Sequence, residues 1–145
     1  MIHAIPRVSA LGVVLIAALW AVPASALPAR AGAASVTVTL GKPGEYALTP
    51  AKRTLKAGKV TFVVTNKGAI THEMNVIPVP STGTVLARGK SAGQVREKGK
   101  IGAVEGLKTG QTGRVAVTLE RGTYQLFCNI PGHYMKGMRT VITVT

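Results

Sequence analysis

Cys128, His133 and Met138 are separated by four residues each along one short stretch near the C-terminus, Cys128-Asn129-Ile130-Pro131-Gly132-His133-Tyr134-Met135-Lys136-Gly137-Met138. A thiol, an imidazole and a thioether placed so closely supply three of the four donors of a redox copper centre. In such a centre two imidazoles and a thiolate lie in a plane and a weak thioether completes the set. Thiolate and thioether are soft and imidazole is intermediate, so these donors accept both Cu(I) and Cu(II). Met135 offers a second thioether on the same stretch. The second imidazole must come from upstream. The chain has three histidines, and His3 lies in a segment read below as a leader, which leaves His72. Zinc suits the set poorly, because thioether is a weak zinc ligand and structural zinc favours several cysteines.

These donors need a frame, and the surrounding sequence reads as strands. Short alternating runs are separated by Gly, Pro, Asn and Lys, the pattern of half-buried β-structure. Val36-Thr37-Val38-Thr39-Leu40 alternates, and Val60-Thr61-Phe62-Val63-Val64-Thr65 is apolar at both parities, as a strand buried on two faces would be. In His72-Glu73-Met74-Asn75-Val76-Ile77 the histidine shares a face with Met74 and Val76, Met74 reads as core, and Pro78 and Pro80 are expected to end the strand. Residues Ser81 to Gly110 hold seven glycines, five cationic side chains between Arg88 and Lys100 and no periodic apolar pattern; this stretch is expected to be a long loop. Order is expected again over 114–119, 123–128 and 139–144, with Tyr124, Leu126 and Cys128 on one face. Cys128 then ends one strand, Met138 begins the next, and one hairpin loop wraps three donors, with Pro131-Gly132 bending the chain before His133. The expected fold class is all-β, a Greek-key β-sandwich of about seven or eight strands forming a single domain over 35–145.

The first 26 residues read as a secretory signal peptide: Arg7 precedes an apolar run from Ala10 to Val22, and Ala24-Ser25-Ala26 has the small-x-small form of a cleavage site. The apolar run is shorter than the roughly 20 residues that span a bilayer. A flexible linker is expected over 27–34, and a periplasmic or extracellular location follows. One cysteine excludes an intramolecular disulfide, so the domain must close on its own core. Removing Arg7 from 18 Lys+Arg leaves 17 against five glutamates, about +12. That charge suits redox partner proteins with an acidic docking surface, or weak association with anionic membrane head groups. Nucleic acid is a poor partner, since the basic residues have almost no interleaved aromatics. The chain has no Asp, no nucleophile and base pair, and no histidine left for a catalytic copper, so it is not expected to be an enzyme. A monomer is expected.

The sequence resembles the cupredoxins, in particular the small plastocyanin-like and azurin-like type 1 (blue) copper proteins. The likeness rests on the loop from Cys128 to Met138, on Thr54 to Gly68 followed by Thr71-His72-Glu73, and on Gly122-Thr123-Tyr124 before Leu126-Phe127-Cys128. It implies a cupredoxin-like sandwich and a periplasmic or extracellular protein that carries one electron at a time between redox partners. It also implies one type 1 copper held by His72, Cys128, His133 and Met138, since Met138 has the family's spacing at the start of the last strand. The same ligands would serve a second role, periplasmic copper binding, delivery or resistance. In the family the loop histidine edge is the usual electron exit, and here Ile130, Pro131, Tyr134 and Met135 are expected to form an apolar surface around His133. One departure stands out: Glu73 occupies a position commonly Asn in the family, where that Asn pins the loop beside the cysteine sulfur.

Overall fold

The computed structural model describes residues 33–145; the leader expected at 1–26 and all but the last two residues of the expected linker lie outside the described residues. Among the described residues nine strands follow one another: β1 (Ala34–Leu40), β2 (Leu48–Pro50), β3 (Thr54–Leu55), β4 (Gly58–Asn66), β5 (His72–Val79), β6 (Gly102–Leu107), β7 (Thr112–Leu119), β8 (Gly122–Phe127) and β9 (Arg139–Val144). They form a four-stranded sheet in the order β2-β1-β4-β7 and a five-stranded sheet in the order β3-β9-β8-β5-β6. Alternation puts Val36, Val38 and Leu40 of β1 and Val60, Phe62 and Val64 of β4 against Met74 and Val76 of β5, Leu126 of β8 and Ile142 of β9 in one core. Burying each such side chain stabilises the sandwich by roughly 1.5–3 kcal/mol.

Strand β4 is not buried on two faces. Val63 is half-buried, because only the even-numbered side of the strand meets the second sheet. The doubly covered strands are β5 and β8. Their outward residues Ile77, Val79 and Phe127 pack with Tyr134 and Val95 in a second cluster beneath the segment that follows β5. Tyr134 Oη accepts a hydrogen bond from Leu86 N–H at 2.9 Å, and Gln125 Nε2 donates to the Thr84 carbonyl at 3.0 Å, so the segment is tied to the sheet it covers.

The long loop expected over 81–110 is therefore only partly a loop. Residues 102–107 are β6, an edge strand on β5. Its pattern is hidden in the sequence because the register shifts between His72 and Met74, so the buried residues Val104 and Leu107 fall three apart instead of two. Its Gly102 also serves packing: a Cβ there would lie 2.6 Å from Val117 Cγ1. Nor does Pro78 end β5. Val76 offers its carbonyl to Ile101 N–H on the β6 side, and by alternation Pro78 faces that same side, beyond the end of the ladder with β6, where no donor is required.

Tyr124 locks the approach to Cys128. Its hydroxyl accepts from Glu120 N–H at 2.9 Å and donates to the Glu120 carbonyl at 3.1 Å, closing the turn between β7 and β8.

Candidate metal centre

Three elements deliver the donor side chains to one end of the sandwich. His72 opens β5, Cys128 follows the last residue of β8, and Met138 precedes β9. The intervening loop closes on itself: Cys128 N–H donates to the Met138 carbonyl at 3.0 Å, and Met138 N–H donates to the His133 carbonyl at 3.1 Å. The bend before His133 uses Gly132 at φ +83°, a conformation open to glycine.

His72, Cys128 and Met138 are fully buried and His133 is 7% exposed. Among the described residues, His72, Cys128 and His133 form the cluster of His, Cys and acidic side chains able to hold a metal ion. His72 Nδ1 lies 3.2 Å from His133 Nδ1, which lies 3.4 Å from Cys128 Sγ. Two nitrogens at that separation fit one shared ion at a typical metal–nitrogen distance of roughly 2.0–2.1 Å. Met138 belongs to the same buried cluster as Cys128, whereas Met135 is 49% exposed. Met74 is core. The donor set and its burial fit a single type 1 copper.

The electrostatics suit a cation. Burial pushes the Cys128 thiol up to about 11, against the pull of the Ile130 and Glu73 backbone N–H groups on the sulfur. A proton is held there until something replaces it. Burial lowers the His133 pKa, and nearby His72 and Lys136 lower it further, so the ring is neutral and its nitrogen lone pair is free at neutral pH.

Residues around the donors extend beyond those the sequence pointed to. Glu73 takes over the pinning role: its Oε1 accepts from Asn129 N–H at 3.0 Å and from Asn75 Nδ2 at 2.8 Å. The Asn129 side chain bonds Val95 N–H and carbonyl at 2.7 and 3.0 Å, tying the basic segment to the residue after Cys128. From the loop between β1 and β2, Glu45 Oε1 lies 2.8 Å from His72 Nε2, and the Tyr46 ring meets the His133 ring edge-on at 5.2 Å. Lys136 Nζ donates to Tyr46 Oη at 2.8 Å. The turn Gly41-Lys42-Pro43-Gly44 marks this loop in the sequence, but nothing local connects it to either histidine.

The apolar surface expected around His133 is differently made. Tyr134 is fully buried, with its ring against Phe127 and its hydroxyl donating to Gln125 Oε1 at 2.9 Å. Tyr46 takes the place beside the histidine.

A family model described as a cupredoxin-like domain matches residues 12–144. No curated protein matches by sequence. Among solved structures, a dithionite-reduced auracyanin from the photosynthetic bacterium Roseiflexus castenholzii is 22% identical, with 79% of this chain and 99% of that one covered at a TM-score of 0.57. Auracyanin A, a blue copper protein from the green thermophilic photosynthetic bacterium Chloroflexus aurantiacus, is 20% identical over 79% and 100% of the two chains, with a TM-score of 0.57. Rusticyanin from Thiobacillus ferrooxidans is 21% identical over 77% and 76%, with a TM-score of 0.55. At these identities the likeness shows the fold.

Proposed function

The chain belongs to the cupredoxin-like family, and from that premise we propose that it is an exported carrier of single electrons between redox partner proteins, with His72, Cys128, His133 and Met138 as the ligands of its copper. The observation that carries the reading is the convergence of His72 Nδ1, His133 Nδ1 and Cys128 Sγ in a site closed by backbone hydrogen bonds. When bound, copper supplies a one-electron Cu(II)/Cu(I) couple.

The protein's part is to hold the donors still. Cys128 and Met138 are cross-linked through the main chain, and Glu73 ties the loop to β5, so gain or loss of an electron meets a frame that resists rearrangement. The backbone N–H groups of Ile130 and Glu73 draw the thiol pKa down, which favours its anionic form. His133 and Tyr46 form the route from the buried site to the surface, and the exposed Ile70 and Met135 supply apolar contact area on the loops that carry the ligands. The basic side chains Arg88, Lys90, Arg96 and Lys98, all exposed on the segment tied to Asn129, would steer an acidic partner.

Loading the mature chain with Cu(II) is expected to give the intense blue thiolate-to-copper absorption, a type 1 electron-spin resonance signal and reversible one-electron titration. Cys128→Ser should abolish the colour; a colourless wild type, or colour that survives the substitution, would defeat the reading. The exposed thioether of Met135, two residues after His133, favours a second role in copper delivery. Rapid transfer of copper to a competing chelator, with sluggish reoxidation, would select it.

A further inference from the structure

The Glu45 carboxylate is held by three groups through four contacts. Its Oε1 lies 2.8 Å from His72 Nε2, its two oxygens accept from Ala69 N–H at 3.0 and 2.9 Å, and Oε1 accepts from Ile70 N–H at 3.2 Å. The turn after β4 is cut to fit it. A Cβ on Gly68 would lie 2.4 Å from Glu45 Oε1 and 2.9 Å from His72 Nε2. Gly68 is not among the residues with positive φ, so space and not backbone conformation demands the glycine. A Cβ on Gly41 would in turn fall 2.3 Å from Gly68 Cα, so the two loops touch where the carboxylate meets the ring.

We propose that Glu45 is a positioning residue of the copper centre, which directs His72 Nδ1 toward the metal and lowers the reduction potential by placing a negative charge at the far side of that ring. The inference rests on the reading of His72 as a ligand. An anion at Nε2 keeps the ring proton on that nitrogen, which leaves the lone pair on Nδ1 and makes the ring a stronger donor. Charge works in the same direction. One thiolate and two neutral imidazoles leave a net charge of about +1 around Cu(II) and about zero around Cu(I). Adding Glu45 makes these about zero and −1, so the oxidised form gains more. Lys136 on the Tyr46 side of His133 opposes the effect, but it meets Tyr46 and not the carboxylate. Solvent reduces the effect too, since the Glu45 side chain is 31% exposed.

Loss of such an outer contact typically weakens metal binding about 10–100-fold. If the loss falls on Cu(II) more than on Cu(I) by about tenfold, the potential rises by about 59 mV for one electron. The test compares copper-loaded wild type, E45Q, E45D and E105Q by redox titration and by Cu(II) competition with a chelator, and wild type with E45A by NMR. E105Q removes an equal charge from an exposed position on β6. Expected are a blue E45Q whose potential is higher by about tenfold in the Cu(II)/Cu(I) affinity ratio, an E45D value between E45Q and wild type, and an unshifted E105Q. In the Cu(I) protein, the His72 Nε2–H proton should be visible by NMR as a slowly exchanging, low-field resonance and be lost in E45A. An E45Q shift below about twofold, or equal shifts in E45Q and E105Q, would overturn the proposal while leaving the copper site intact. If E45Q does not fold, the E45D potential and the NMR resonance of the wild type decide: a wild-type potential retained in E45D, or a rapidly exchanging Nε2 proton, overturns it. A wild type that is not blue would instead overturn the reading of His72 on which it rests.

Discussion

Replacing Asn66 by alanine is expected to unfasten the turn that delivers His72. Asn66 ends β4, is fully buried, and uses every hydrogen-bonding atom of its amide. Nδ2 donates to the Ile70 carbonyl at 2.7 Å and to the Leu107 carbonyl at 2.8 Å, and Oδ1 accepts from Gly68 N–H at 2.8 Å. One side chain therefore closes the 66–71 turn and fastens it to the end of β6. Each such hydrogen bond contributes about 0.5–1.5 kcal/mol net, and buried groups left unpaired add to the loss. Three together come to about 3 kcal/mol. For a domain of this size that lowers Tm by roughly 12 °C or more. Urea unfolding of the copper-free protein at constant m-value, with a calorimetric Tm, measures it. N66D should be worse than N66A, because it turns a carboxylate oxygen toward the Ile70 and Leu107 carbonyls. Since Ala69 and Ile70 N–H hold Glu45, N66A should also broaden the His72 Nε2–H resonance. A loss below about 1 kcal/mol, or N66D as stable as N66A, would refute the account of the turn.

Tyr124→Phe should cost about 1–2 kcal/mol in urea unfolding with little change in the blue absorption, because the hydroxyl bonds only the Glu120 main chain. Acid unfolding of the copper-free protein should carry the mark of Glu45, whose carboxyl is lowered to about 2, chiefly by the Ala69 N–H and then by His72. A depressed carboxyl contributes stability that is present above its unfolded pKa near 4.5 and is lost as pH falls through about 2. E45Q should therefore show a flatter stability profile across that window, measured by urea midpoints at successive pH values; parallel profiles would contradict it.

Much of the frame was readable in advance because strand alternation is local. Val36 to Leu40 and Tyr124 to Cys128 declare their inward faces residue by residue, and both sets lie in the core. The strand β6 was not readable, since a register shift and two glycines erase the period of two that would announce it. Burial on two faces was expected of β4 and is found instead in β5 and β8: apolar content at both parities tells that a strand is apolar, but not which sheet or segment covers it. Pro78 looked like a strand end, and only its position beyond the ladder with β6 explains why it is tolerated.

The sequence by itself supplied the residue types of the proposed donors, their spacing on one loop, the pointer to His72 as the second imidazole, and the β-sandwich that carries them. Those features depend on chemical identity and on short-range periodicity, which any stretch of chain displays. What only the tertiary structure decided is what surrounds the donors. Met138 is turned inward while Met135 faces solvent, Tyr134 is buried beneath the loop, and Tyr46 stands beside His133. Glu45 reaches a histidine 27 residues away. That contact exists because Gly41 and Gly68 let two loops from different strand connections approach to backbone distance. No periodicity encodes such a meeting, because it is set by how the four-stranded sheet brings the ends of β1 and β4 side by side, with Leu40 opposite Asn66.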